Sequence, residues 1–168
     1  MRWYCISIVV IIIDQLTKAW AEASLVGYKT IVVLPFFKFE LAYNSGAAFS
    51  FLQDAGGWQR WFFSIIALVV SAGIVYWIAK TVALKDSSKK WELLALSLVL
   101  GGAIGNVYDR IFLGHVVDFI VWHYEHHQFP TFNIADSAIS LGAAILIFDM
   151  LFLQKEKNSN NADQQSTK

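Results

Sequence analysis

The 168 residues carry 13 basic and 13 acidic side chains, and 57% are hydrophobic against only 15% charged. A chain this apolar and this evenly balanced is neither an ordinary soluble domain nor a nucleic-acid binder, which would carry a basic footprint. Its expected partners are lipid and peptide, and a single cysteine, Cys5, excludes an internal disulfide and reads as lipid-facing or core filler.

A bilayer crossing takes about 20 mostly apolar residues. In chain order the candidates are Trp3 to about Ala23, Trp58 to Ala79, Trp91 to Tyr108 and Asn133 to Leu153, several with Trp near an end, where interfacial anchors belong. Arg2 precedes the first span, Lys80, Lys85, Lys89 and Lys90 lie between the second and third, and Lys155 and Lys157 follow the fourth. That bias predicts a multi-pass protein with both termini in the cytoplasm. Residues 1–157 read as one integral membrane domain, and the polar tail Asn158 to Lys168 as a disordered cytoplasmic extension.

The first span competes with a cleavable secretory signal, because Arg2, the apolar run Trp3 to Ile13 and Ala19-Trp20-Ala21 imitate one. Asp14 and Lys18 argue for a retained helix. Four residues apart, acid first, they share a face in the favourable order, and Glu22 continues the stripe. Asp14 falls about 16 Å beyond Trp3 by helical rise, near mid-membrane, where a charge must be paired or face the bundle interior.

The extracytoplasmic stretch of about residues 28–52 reads as β. Phe37, Phe39, Leu41 and Tyr43 alternate with Lys38, Glu40 and Ala42, and the β-branched run Ile31 to Leu34 stops at Pro35. The following "NSGAAFSF", Asn44 to Phe51, and Gly56-Gly57 supply turns, or room for close backbone approach.

Polar residues then cluster where apolar segments end or begin. "NVYDRIFLGHVVDF" (106–119) closes the third span and "FNIADSAIS" (132–140) opens the fourth. With the third helix running outward and the fourth inward, Asp109, Arg110, Asp118, Asn133 and Asp136 share the outer interface. Asn133 and Asp136, three apart, suit a helix N-cap with its acid at the third position. Asp118 sits between Val116-Val117 and Phe119-Ile120, where a lone carboxylate tends to be neutral or paired. Two carboxylates in a partly desolvated site cannot easily both ionise, and one proton shared between them is the aspartic-protease condition.

Other hydrolytic chemistries lack their parts: there is no H-E-x-x-H, and Cys5 falls on the cytoplasmic side. Neither metal nor cofactor is expected. "HYEHH" puts His123 and His127 on one helical face, but Glu125 and the neighbouring aromatics suit a short interfacial segment better than a metal site.

The blocks "DQLTK" (14–18), "NSGAAF" (44–49), "GNVYDR" (105–110), "VVDF" (116–119) and "FNIADSAI" (132–139) resemble, in order, those of the lipoprotein signal peptidases, signal peptidase II. The resemblance implies an aspartic endopeptidase of the bacterial inner membrane. Its expected fold is an all-α bundle of four transmembrane helices with a small extracytoplasmic β-sheet, its active site at the outer interface. It implies cleavage of prolipoproteins just before a diacylglyceryl-modified Cys; a monomer is expected. The family's catalytic pair falls on Asp118 and Asp136, and its supporting or substrate-binding positions on Asp14, Lys18, Asn44, Gly46, Asn106, Asp109, Arg110 and Asn133. A small proton-coupled transporter using Asp14 is the competing class; a non-catalytic scaffold would leave the acids unexplained. The long segment outside the membrane and the acids grouped at one interface favour the peptidase.

Overall fold

Four helices form where the apolar runs predict them: α1 (Arg2–Leu25), α2 (Gln59–Ala83), α3 (Lys90–Phe112) and α4 (Ile134–Phe148), the last continued by a π-helical turn, Asp149–Leu153. The structure is a computed structural model and describes residues 2–27, 29–46, 57–84, 89–125 and 127–153. The expected tail, Lys155 and Lys157, Lys85, His126 and most of the small-residue stretch after Gly46 lie outside the described residues. Among the described residues, four helices are long and apolar enough to cross a membrane.

The helices bury their polar faces. In α1 the buried residues are Ser7, Asp14, Lys18, Ala21 and Leu25, on one stripe, while Ile8, Val9, Ile12, Ile13 and Leu16 are exposed. In α2 Ser64 and Ser71 are buried, and Ile65, Val69 and Val70 point outward. In water this would be inside out. In lipid, apolar side chains gain nothing by leaving the surface, and polar ones gain partners by turning inward. Cys5 is exposed on α1, in keeping with a lipid-facing position.

The central helix is α3, with 67% of its apolar window buried against 22% for each of the others. Glycine makes that possible. A Cβ on Gly102 would lie 2.3 Å from the Ala135 carbonyl oxygen of α4, and one on Gly101 would meet Val10 and Ser7 of α1 at 2.7 and 2.8 Å. Small residues let helix backbones approach this closely. Gly102→Ala should therefore force α3 and α4 apart and destabilise the protein by about 1–3 kcal/mol, as overpacking does. Gly73→Ala, whose new methyl would meet nothing within 4 Å, should be neutral or slightly stabilising. Thermal unfolding of both variants in detergent checks this, and equal melting temperatures would contradict it.

The β segments form one antiparallel sheet in the order β1 (Thr30–Leu34), β2 (Phe37–Asn44), β3 (Val116–Tyr124) and β4 (His127–Gln128). The first two form where a β-branched run and an alternating stretch are expected, but their burial does not alternate: β1 is exposed throughout, and β2 is half-buried except for the exposed Tyr43. The third and fourth correct the sequence reading of the histidine-rich segment: it is a hairpin with His123 opposite Gln128 and Tyr124 opposite His127, so no helical face joins His123 to His127. β2 and β3 meet although two spans separate them in sequence, pairing Ala42 with Asp118 and Asn44 with Val116. Their register shifts between Phe39 and Ala42, an irregularity of the kind that re-aims side chains.

The C-terminal end of α1 carries the sheet. Ala21 and Leu25 pack with Phe119, flanked by Phe39, Leu41, Ile120 and Ile134, and Trp20 meets the Phe39 ring edge-on at 5.3 Å. α3 stops at a glycine turn. Gly114, at φ +86°, takes the left-handed conformation that L side chains resist, and its amide and that of Leu113 both donate to the Asp109 carbonyl. The chain thus reverses at once and brings Val116 to Asp118 back beside the end of α3.

Candidate active site

The reversal after α3 and the start of α4 set the two candidate carboxylates around one amide. Asn133 is the N-cap of α4: its Oδ1 accepts from the Asp136 amide at 2.9 Å, and Asp136 Oδ2 accepts in return from the Asn133 amide at 3.3 Å. This is the capping box expected of the pair. The cap leaves the other end of the Asn133 side chain available, and its Nδ2 donates to Asp118 Oδ1 at 2.7 Å. One buried asparagine therefore fixes Asp136 through the backbone and Asp118 through a side chain. The cap and the site are the same structure.

Asn106 supplies the second link. Its Nδ2 donates to Asp136 Oδ1 at 2.7 Å, and its Oδ1 accepts from Asn133 Nδ2 at 3.2 Å and Lys18 Nζ at 3.1 Å. Behind it, Lys18 forms ion pairs of 2.8 Å with both Asp14 and Asp109, all three essentially buried. Asp14 Oδ1 accepts from the Ala135 amide at 2.9 Å, which satisfies one open donor of α4's first turn, and Asp109 Oδ2 accepts from the Val117 amide at 3.2 Å. Each buried acid thus holds the backbone next to one candidate: Ala135 beside Asp136, Val117 beside Asp118. The Asp14–Lys18 pair matches the sequence expectation, whereas the Asp14–Ala135 bond depends on how α1 crosses α4 and is not written in the sequence.

Asn44, at the end of β2, completes the ring, its Nδ2 donating to Asp118 Oδ2 at 3.2 Å and its Oδ1 accepting from the Gly46 amide at 3.0 Å. Gly46 takes part through its backbone, since its carbonyl accepts from Arg110 Nη2 at 3.1 Å. Arg110 is not ion-paired with Asp109 or Asp118; it turns to that carbonyl and, more weakly, to the carbonyl of Asn106 at 3.4 Å. Its Nε has no hydrogen-bond partner among the described residues. Gln15 was not singled out by the sequence reading, yet its Nε2 donates to Asp109 Oδ1 at 2.9 Å and Asp14 Oδ2 at 3.2 Å. The available signal was a carboxamide beside Asp14 inside an apolar span.

The two carboxyls differ in environment. Asp118 is 2% exposed, and burial, with the neighbouring charge of Asp136 second, pushes its carboxyl up to about 7. Asp136 is partly exposed and borders a cavity of about 510 Å³ that Asn44, Asn106, Arg110, Phe129 and Phe132 also line. Such a volume is within the range of ligand-binding clefts. One carboxyl readily protonated and one facing a cavity is a combination suited to acid–base work on a bound group.

The family model described as signal peptidase (SPase) II matches residues 6–152. The chain belongs to that family. Lipoprotein signal peptidase of Cellvibrio japonicus is 54% identical over 157 residues, covering 94% of this chain and 89% of its own, and that of Pseudomonas aeruginosa strain PAO1 is 52% identical over 157 residues, covering 92% and 90%. A solved bacterial membrane enzyme, obtained by the in meso method at 2.3 Å resolution, superposes with a TM-score of 0.73 at 32% identity, over 89% of this chain and 87% of its own. The protein is accordingly a protease of the signal peptidase II family and a multi-pass protein of the bacterial inner membrane. The described histidines stand apart from the carboxylates in their contacts: His115 lies edge-on to Tyr43 at 4.4 Å, and His123 and His127 are in the β3–β4 hairpin.

Proposed function

We propose that Asp118 and Asp136 form the catalytic pair of an aspartic endopeptidase, which severs the signal peptide just before the diacylglyceryl-modified Cys of a prolipoprotein. The observation that carries this is the side chain of Asn133, which contacts both acids through separate ends. Asp136, facing the cavity, takes a proton from the attacking water. Asp118, held near neutral protonation by burial, donates to the scissile carbonyl; the roles then reverse to protonate the leaving amine. The Asn106 and Asn44 amides hold the two acids in place through the cycle. Arg110 and the Gly46 backbone border the path an extended peptide would take past the pair, and the free edge of the sheet can grip such a peptide by strand addition. The apolar part of the cavity, at Phe129, Phe132 and Ile139, suits an acyl chain.

Purified protein in detergent should cleave a diacylated prolipoprotein with chelator present and leave the unacylated precursor uncut. Loss of cleavage on chelation would point to a metal mechanism and overturn the reading.

The lysine bias supports a topology with both termini in the cytoplasm and the pair at the outer interface, and we take the protein to act as a monomer among lipid. A reporter active only outside the cytoplasm should then work when fused after Leu52 or Phe129 and be silent after Asp86 or Lys157. Silence after Phe129 would put the carboxylates in the wrong compartment.

A further inference from the structure

At the end of the bundle away from the carboxylates, the last turns of α2 and the first of α3 enclose a second cavity, of about 450 Å³, bordered by Tyr76, Trp77, Lys80, Lys89 and Glu92. Its charges are organised. Glu92 is nearly buried, and both of its oxygens are engaged: Oε1 accepts from Trp77 Nε1 and Oε2 from Lys89 Nζ, each at 2.8 Å. The carboxylate thus fixes the indole and one ammonium at the rim. Lys80 also borders the cavity, is exposed, and has no ion-pair partner among the described residues. The rim carries two cations against one fully engaged anion.

Below the rim the surface changes character. Tyr76 and Trp77 are 69% and 53% exposed, an amphipathic shelf of the type found where headgroups meet hydrocarbon. Gly73 lies seven residues before Lys80 on α2, about 10 Å toward the bundle centre, and the space where its Cβ would stand is open. Cation above, aromatic shelf between and an open apolar slot beneath is the order of parts in a phospholipid. We propose that this cavity is a binding site for an anionic glycerophospholipid, with the phosphate at Lys80 and Lys89 and an acyl chain in the slot at Gly73. The site is separate from the proposed catalytic pair and is formed by no residue assigned to it.

Native mass spectrometry of the delipidated full chain in detergent, titrated with phosphatidylglycerol, phosphatidylcholine or inorganic phosphate, tests this. Phosphatidylglycerol should bind in preference to phosphatidylcholine. Lys80→Ala should weaken phosphatidylglycerol binding about fivefold, the effect of one basic side chain at an anionic headgroup, and leave prolipoprotein cleavage in detergent unchanged. Lys29→Ala, at the opposite end of the molecule, should leave lipid binding unchanged. Equal binding of the two lipids, or equal effects of the two substitutions, would overturn the proposal. Displacement of phosphatidylglycerol by inorganic phosphate would also overturn it, because the site would then recognise a bare anion.

Discussion

Asp118→Asn and Asp136→Asn should each lower cleavage of a purified diacylated prolipoprotein by about 10²–10⁴-fold, the range that loss of a positioned general acid or base produces. The amide keeps the shape of the side chain but cannot cycle a proton. Both variants should remain folded, since Asp136 contributes to the cap of α4 through one hydrogen bond of 3.3 Å and its loss there costs about 1 kcal/mol. Near-normal turnover by either variant would remove the dyad assignment and leave Asp136 as a cap. A second signature separates the two acids. With its carboxyl pushed up to about 7 in the folded protein and near 3.8 when unfolded, Asp118 binds more protons folded than unfolded between those values. Stability must then fall as pH rises from about 4 to about 7, by something on the order of 4 kcal/mol at most. Other carboxylates titrate in the same window, so the measurement is the difference between wild type and Asp118→Asn: thermal unfolding across that range should show a less negative slope in the variant. An unchanged slope would mean that Asp118 is not the protonated partner.

The largest effect on folding should come from Lys18. Removing its ammonium leaves Asp14 and Asp109 facing each other with no counter-charge, all in a site without water access, and truncating one partner of a buried ionic network costs about 3–5 kcal/mol. Lys18→Met should therefore collapse the yield of folded protein, measured by fluorescence-detected size exclusion. Asp14→Asn should be milder, because Lys18 keeps its 2.8 Å pair with Asp109, and an asparagine Oδ1 can still accept from the Ala135 amide. The molecules of that variant that do fold should cleave substrate. A proton-coupled transporter would behave oppositely: Asp14→Asn would abolish proton-driven efflux from membrane vesicles, and Asp136→Asn would be without effect. Efflux dependent on Asp14, without cleavage, would displace the peptidase reading.

The spans were legible because lipid demands long apolar runs, and their bounds shift by only a few residues: α2 continues from the expected Ala79 to Ala83, and α3 from Tyr108 to Phe112. The capping box was legible because Asn133 and Asp136 are local partners. β3 was hidden for a physical reason. Its first four residues, Val116 to Phe119, are all buried, so both faces of the strand lack the polar alternation that marks a half-exposed one. Its pairing partner, β2, lies before two intervening spans, where no local pattern can announce it. The same distance hid the contact of Asn44 with Asp118 and that of Gln15 with Asp109. Sequence spacing reveals which residues share a face of one element; it is silent about which faces of different elements meet.

That long-range pairing sets a timetable for synthesis. Asn44 leaves the ribosome early, on β2, while Asp118 follows only after α2 and α3, and Asn133 and Asp136 come later still with α4. A nascent chain with two spans inserted holds one wall of the site and neither carboxylate. On the proposed assignment, proteolytic competence arrives in a single step with the first turn of the last helix, so the unfinished enzyme cannot cut anything it meets on the way into the membrane.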